Sequence, residues 1–332
     1  MEIFGVPLLL IAIIAIAMVF DFLNGLHDSS NIVATMISSR ALSPQKALGI
    51  TAMAEFAGPF LFGVAVATTI GSEVVDPVAI SSTVIMAALI GAIAWNLLTW
   101  YFGWPSSTSH ALIGGLIGSV AVAEGLGTVR LAGLEKVLIA LFLSPVLGMV
   151  FGFLVLKVIY FLARGATPRI NTFFKRAQWG TSIALALSHG TNDAQKTMGI
   201  IAMAMVTTGY VTQFQVPWWV ITMSASAIAL GTLTGGWRLI RTLGGKFYKI
   251  RPVHAFGSQL ASASTILGAA MMGGPVSTTQ VVSSAIMGAG SADRISKVRW
   301  TVARDIAVAW VLTIPVAALL AAGLYLLIDL FF

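Results

Sequence analysis

Long apolar stretches alternate with short polar and basic ones along nearly the whole chain. The apolar segments run over 3–22, 47–70, 78–101, 107–123 and 136–162, then over 179–189, 217–237, 254–272, 276–289 and 302–328. Several reach the ~18–20 residues that cross a bilayer as a helix. Others are too short, and Gly and Pro interrupt them. In hydrocarbon every backbone N–H and C=O needs a partner, so short apolar pieces predict broken helices or re-entrant hairpins enclosed by protein or lining a cavity. Residues 25–39 and 194–208 are two further apolar-rich stretches, each following a polar interruption. The pattern predicts an all-α, polytopic membrane protein.

The two interruptions resemble each other. Asn24-Gly25-Leu26-His27-Asp28-Ser29-Ser30-Asn31 follows the first span, and His189-Gly190-Thr191-Asn192-Asp193-Ala194-Gln195-Lys196 lies near the middle. Asp28 and Asp193 are 165 positions apart, about half of the 332 residues. A second pair follows at nearly the same interval. Trp104-Pro105-Ser106-Ser107-Thr108-Ser109-His110 and Gly274-Pro275-Val276-Ser277-Thr278-Thr279-Gln280 each place a proline and a hydroxyl cluster before a short apolar stretch. Proline suits a first helical turn and Ser or Thr suits a cap. The free N–H groups and partial positive charge of such a terminus hold anions. A single copy reads equally well as a capped helix start; two copies, each trailing an aspartate motif, point to a site built by both halves.

Composition settles the class. The chain is 58% apolar and 9% charged, with a net charge of +7 and a mean hydropathy of +0.93. Charge this sparse excludes an ordinary soluble protein. With no cysteine, disulfides, thiolate catalysis and Cys-ligated metals are excluded. Glu2 is the first charge, and the lack of a basic leader argues against a cleaved signal peptide. Of the 19 lysines and arginines, 16 fall in four groups: Arg40 and Lys46; Lys157 to Arg176; Arg238 to Arg251; Arg294 to Arg304. Basic loops face the cytoplasm, so 71–77, 124–136 and 209–216 fall outside, as do both termini if 25–39 returns to the side it left. Aligned on the motifs, every matched pair of loops has opposite sidedness, which marks an inverted repeat. The first repeat is read as 1–162, a cytoplasmic linker as 163–178 and the second repeat as 179–332.

An acidic residue at membrane depth is a functional candidate by default. Asp28 and Asp193 are read as coordinating a cation or carrying a proton, with a structural pairing to Lys196 or backbone amides as the alternative. A carboxylate repels a bare anion, so a cation or a proton must accompany any anion bound beside them. Asn24, Asn31 and Asn192 offer amide donors and carbonyl acceptors. Lys196 either contacts an anion or neutralises an aspartate. His27, His110 and His189 are read as proton-relay or packing residues. Glu55 lies mid-segment as a coupling-ion candidate, Asp21 near membrane depth at a helix end, and His254 at the interface beside a basic loop. No zinc-ligand set, nucleophile elbow or phosphate loop occurs, so an enzyme is not expected.

These motifs resemble the inorganic phosphate transporter family, most of all its bacterial low-affinity permeases. Asn24–Asn31 is similar to its first signature and Ser188–Gly199 to its second; Pro275–Thr279 looks like its PVSTT element, with Pro105–His110 as the first-half counterpart. Ser43-Pro44-Gln45 and Gly235–Gly244 also fit. The resemblance implies an inverted-repeat carrier that moves phosphate with Na⁺ or H⁺ by alternating access. It implies phosphate contacts at Asn31, Ser106, Ser107, Thr108, Asn192, Lys196, Ser277, Thr278 and Thr279. The coupling ion would be held at Asp28 and Asp193, with Asn24 and Glu55 as further candidates. Gln280 stands where relatives usually carry histidine, so no proton role is implied there.

The expected function is therefore cation-coupled import of inorganic phosphate, alone or as a metal–phosphate complex, across the plasma membrane. A symporter of sulfate or another oxyanion is the alternative, and an anion channel a more distant one. No cofactor is expected beyond the coupling ion, nor any metal beyond Na⁺ at the aspartates. The expected partners are lipid and a second copy of the chain, not nucleic acid.

Overall fold

The computed structural model describes residues 2–3, 5–76 and 80–330. Two short strands, β1 (Glu2–Ile3) and β2 (Val6–Pro7), pair at the start, and helices account for nearly all the rest. In the first half these are α1 (Leu8–Ser38), α2 (Pro44–Phe62), α3 (Ala65–Thr68, continued by a π-helical turn over Thr69–Glu73), α4 (Ser82–Phe102), α5 (Thr108–Ala123) and α6 (Leu131–Leu162). The second half repeats the series as α7 (Ile170–Thr207), α8 (Trp218–Thr234), α9 (Trp237–Gly245), α10 (Pro252–Met271), α11 (Thr278–Asp293) and α12 (Trp300–Asp329). The fold is an all-α inverted-topology repeat.

The breaks fall at matching places. α2 bends into α3 by 74° at Gly63 and Val64, and α8 bends into α9 by 71° at Gly235 and Gly236. Gly63 and Gly235 both have positive φ (77° and 73°), backbone that glycine adopts without a Cβ clash. α4–α5 and α10–α11 are hairpins that turn over 103–107 and 272–277; Trp104 and Met272 stay exposed there, while residues 105–109 and 274–280 are buried. The backbone freed at a break is satisfied by side chains. Gln195 of α7 accepts from the Val66 and Ala67 amides at 2.8 and 3.3 Å and donates to the Gly63 carbonyl at 2.7 Å.

The aspartate motifs are not at breaks, contrary to the reading of 3–22 and 25–39, and of 179–189 and 194–208, as separate segments. α1 and α7 run unbroken through them. Their hydroxyls fold back on the helix instead of opening it: Ser29 donates to Leu26 O at 2.9 Å, Ser30 to His27 O at 3.1 Å and Thr191 to Leu187 O at 2.7 Å. The motif glycines serve close packing. A Cβ on Gly25 would strike the Ile228 carbonyl, and one on Gly190 the Glu55 carbonyl. Residues 170–178 form the first turns of α7, so the polar character of 163–178 reflects a helix emerging from the bundle as well as a connection.

Each half completes the other. α6 packs on α10 and α11, α12 on α4 and α5, α1 on α8, and α2 on α7. Small residues make these crossings tight, as expected where lipid supplies no hydrophobic drive between helices. Gly148 and Gly152 of α6 approach the Val281 and Ala285 carbonyls on α11, while Gly114 and Gly118 of α5 approach those of Ile314 and Ala318 on α12. α6 and α12 turn outward a belt that includes Phe142, Val146, Val311 and Leu319.

Candidate functional site

α5 and α11 begin in the interior with serine caps. Ser107 accepts from the His110 amide at 3.1 Å and Ser277 from the Gln280 amide at 3.3 Å. The hydroxyls of the following turn meet the aspartates. Thr279 donates to Asp28 Oδ1 at 2.8 Å, and Thr108 and Thr278 lie 3.3 Å from Asp28 Oδ2. Thr278 also donates to Asp193 Oδ2 at 2.9 Å, so one hydroxyl links the carboxylates of both halves.

Lys196 and Asn31, 165 positions apart, occupy matching places. Asn31 donates to Thr279 at 3.0 Å, and Lys196 donates to Ser109 at 2.5 Å. Lys196 also binds Asp193 Oδ1 and donates to the Val276 carbonyl at 2.9 Å. Of the pairings open to it in the sequence, it takes Asp193 rather than Asp28. Its ammonium has three protein partners and is buried.

His189 sits among carboxylates: Nε2 is 3.0 Å from Asp193 and 3.8 Å from Asp28, and Nδ1 is 2.9 Å from Glu55 Oε1 on α2. His27 Nδ1 lies 3.2 Å from Asp28 Oδ1. Asp28, His189 and Asp193 each offer a ligand atom within 4.8 Å of the others. With the Thr108 and Thr278 hydroxyls beside them, the set is rich in oxygen, as a hard cation prefers.

Other candidates stand apart. Ser106 donates to Thr99 at 2.9 Å. His110 packs its ring edge on Phe142 and has Nδ1 2.7 Å from Ser107. Asn192 donates to the Gly274 carbonyl at 3.1 Å, which ties α7 to a hairpin tip. Asn24 keeps both amide atoms buried without a partner, as do the side-chain oxygens of Asn31 and Asn192. A buried polar group without a partner is costly and points to a ligand, an ion or water.

Ser109 and Asp21 join this region without having been singled out for it. Alignment on Pro105 and Pro275 pairs Ser109 with Thr279, and that was the available signal. Asp21 is not at a helix end but buried mid-helix, accepting from Thr197 at 2.5 Å. His254, beside a basic loop, is likewise buried, 3.1 Å from the Tyr160 hydroxyl. The charge balance follows. Asp21, Asp28, Glu55 and Asp193 are all 0% exposed, and Lys196 is the one lysine or arginine buried with them among the described residues. Such a centre, at membrane depth, requires protons or cations.

The phosphate transporter family model matches residues 24–167 and 162–321. A probable low-affinity inorganic phosphate transporter of Rhizobium meliloti is 45% identical over 97% of this chain and 97% of its own. One from Bacillus subtilis is 42% identical over 98% of each. A solved structure described as the sodium-dependent phosphate transporter superimposes with a TM-score of 0.87 at 25% identity, over 98% of this chain and 100% of that one. Helix order, paired motifs and relatives agree, and the chain belongs to the phosphate transporter family.

Proposed function

We propose that this protein is a secondary transporter that imports inorganic phosphate together with Na⁺ or H⁺ by alternating access between its two repeats, 1–162 and 179–332. The observation that carries this is the meeting of Asp28 and Asp193 at the Thr278 hydroxyl, with one buried lysine among four buried carboxyls. A negative centre rejects a lone oxyanion and accepts one that arrives with cations or protons. Occupancy by the two is therefore coupled, which symport requires. Thr108, Ser109, Thr278 and Thr279, with the amides of two helix N-termini, are the donors toward phosphate. Asp28 and Asp193 hold the coupling ion.

Two observations bear on that ion. The structural neighbour is described as sodium-dependent, and the oxygen-rich Asp28–Asp193–Thr278 group suits Na⁺. His189, held between Glu55 and the aspartates, suits a proton. Uptake of labelled phosphate in proteoliposomes under separately imposed Na⁺ and pH gradients assigns the ion. Absence of accumulation under either gradient refutes the proposal, and suppression by excess sulfate with no preference for phosphate moves the assignment to a general oxyanion carrier. The positive-inside preference of the basic loops supports a reading with the ends of α1, α6, α9 and α11 on the cytoplasmic side of the plasma membrane and both termini outside.

A further inference from the structure

From the central cluster, α1 and the residue that caps its C-terminus carry Asn31, Thr35 and Ser39, four residues apart on one face. Thr35 accepts from the Gln259 amide of α10 at 2.9 Å, and Gln259 accepts from Thr181 of α7 at 2.6 Å. Ser39 donates to Gln178 of α7 at 2.8 Å. All are buried, and on α10 Ser262 keeps a buried hydroxyl without a partner. An uncharged polar file thus leads away from the site.

The file ends beneath a cavity of about 770 Å³. Arg40, Lys175, Lys249, Arg251 and Arg299 line it, and Ser39 and Pro252 belong to its wall. Gln178 lies between the file and this wall: besides accepting from Ser39, its amide donates to the Pro252 carbonyl at 3.3 Å. Arg40 has φ 56°, the one positive φ outside glycine among the described residues. It is the left-handed residue that ends α1, with the Arg40 amide donating to Ile37 O at 3.1 Å and the Ala41 amide to Met36 O at 3.0 Å.

The other half of the repeat supplies the contrast. Shifted by 165 positions, Thr35, Ser39, Gln178 and Thr181 become Ile200, Ala204, Ile13 and Ile16. With Leu89 of α4 these form part of one apolar cluster. The same scaffold is thus packed with hydrocarbon on one side of the site, so the fold does not require polarity on the other. The positive-inside preference asks for Lys and Arg near helix ends, not for five around one cavity.

We propose that this basic cavity is the cytoplasmic vestibule of the carrier, an oxyanion site that receives phosphate released along the Asn31–Thr35–Ser39 file, with Gln178 as the bolt between them. This rests on the reading of the chain as a phosphate carrier. Arginine forks match phosphate oxygens in pairs. A phosphate-bearing lipid headgroup offers the same chemistry. The adjoining polar file, which a lipid does not need, favours the transported ion.

The test is exchange of labelled phosphate in oriented proteoliposomes, with half-saturation measured from each face. The triple variant Arg40→Gln, Lys249→Gln, Arg299→Gln is expected to raise half-saturation at the basic face about tenfold and to leave the opposite face within about twofold. Gln178→Leu removes the bolt's amide and is expected to alter exchange at the basic face alone. Unchanged values at the basic face, or equal changes at both, overturn the vestibule. A normal value at the opposite face shows that a variant is folded, and the single variant Arg299→Gln replaces the triple if it does not fold. Repeating the measurement in pure phosphatidylcholine separates the two sources. Persistence of the effect supports the vestibule, and its disappearance without phosphatidylglycerol makes the cavity a lipid site instead. Wild-type protein that exchanges no phosphate refutes the transport reading itself.

Discussion

The Thr279 hydroxyl on α11 lies 2.8 Å from the carboxylate of Asp28 on α1, 251 positions away in sequence. Asn31, one turn beyond Asp28, donates to the same oxygen at 3.0 Å. A hairpin tip of one half is thereby tied to the aspartate helix of the other. Thr279→Val keeps the shape and removes both bonds. Initial phosphate uptake is expected to fall at least tenfold, while stability drops by about 1–3 kcal/mol, the cost of a buried group left without its partner. Uptake rates and thermal unfolding in detergent check both halves, and undiminished uptake removes Thr279 from the site.

Lys196 neutralises Asp193 in a region closed to water. Lys196→Met takes the lysine from that carboxylate and leaves it with Thr278 and His189, which costs up to about 3–5 kcal/mol, the range for a buried ion pair broken on one side. Adding Asp193→Asn is expected to restore most of the melting temperature but not transport. Equal instability in the single and double variants shows that the lysine acts through packing.

Asp21 accepts from Thr197, one turn along α7 from Asp193 and off the threonine cluster. Asp21→Asn retains an acceptor and removes the charge. The cation half-saturation is expected to rise severalfold and that of phosphate to stay within about twofold, because an extra buried negative charge attracts cations. A change confined to phosphate contradicts this placement.

Gly190 carries α7 against the backbone of α2 at Glu55. Gly190→Ala forces two helices apart and is expected to cost about 1–3 kcal/mol, as overpacking does. Gly323 of α12 meets nothing within 4 Å, so Gly323→Ala is expected to be neutral or to stabilise by up to about 1 kcal/mol through helix propensity. Comparative melting of the two variants tests whether glycine is required by contact or merely tolerated.

Much of this was readable from local pattern. Hydropathy places the spans, and Asp28 with Asp193 and Pro105 with Pro275 reveal the repeat, because each signal is complete within a few residues. Helix continuity was less legible. The polar motifs look like interruptions, yet Ser29, Ser30 and Thr191 bond back to their own helices and keep them intact. Asp21 looked peripheral because its partners, on α7, lie far along the chain.

The sequence by itself therefore determined the membrane class, the doubled architecture and the residue types that gather at the candidate site. Transfer free energy and repeated motifs are properties of the chain in one dimension. Only the tertiary structure decided that Lys196 serves Asp193, that Thr278 touches both aspartates, and that Thr35, Ser39, Gln178 and Gln259 meet in one polar file where their repeat counterparts are apolar. Those facts depend on which faces helices far apart in sequence turn toward one another, and crossings set by glycines such as Gly25 and Gly190 fix that rotation.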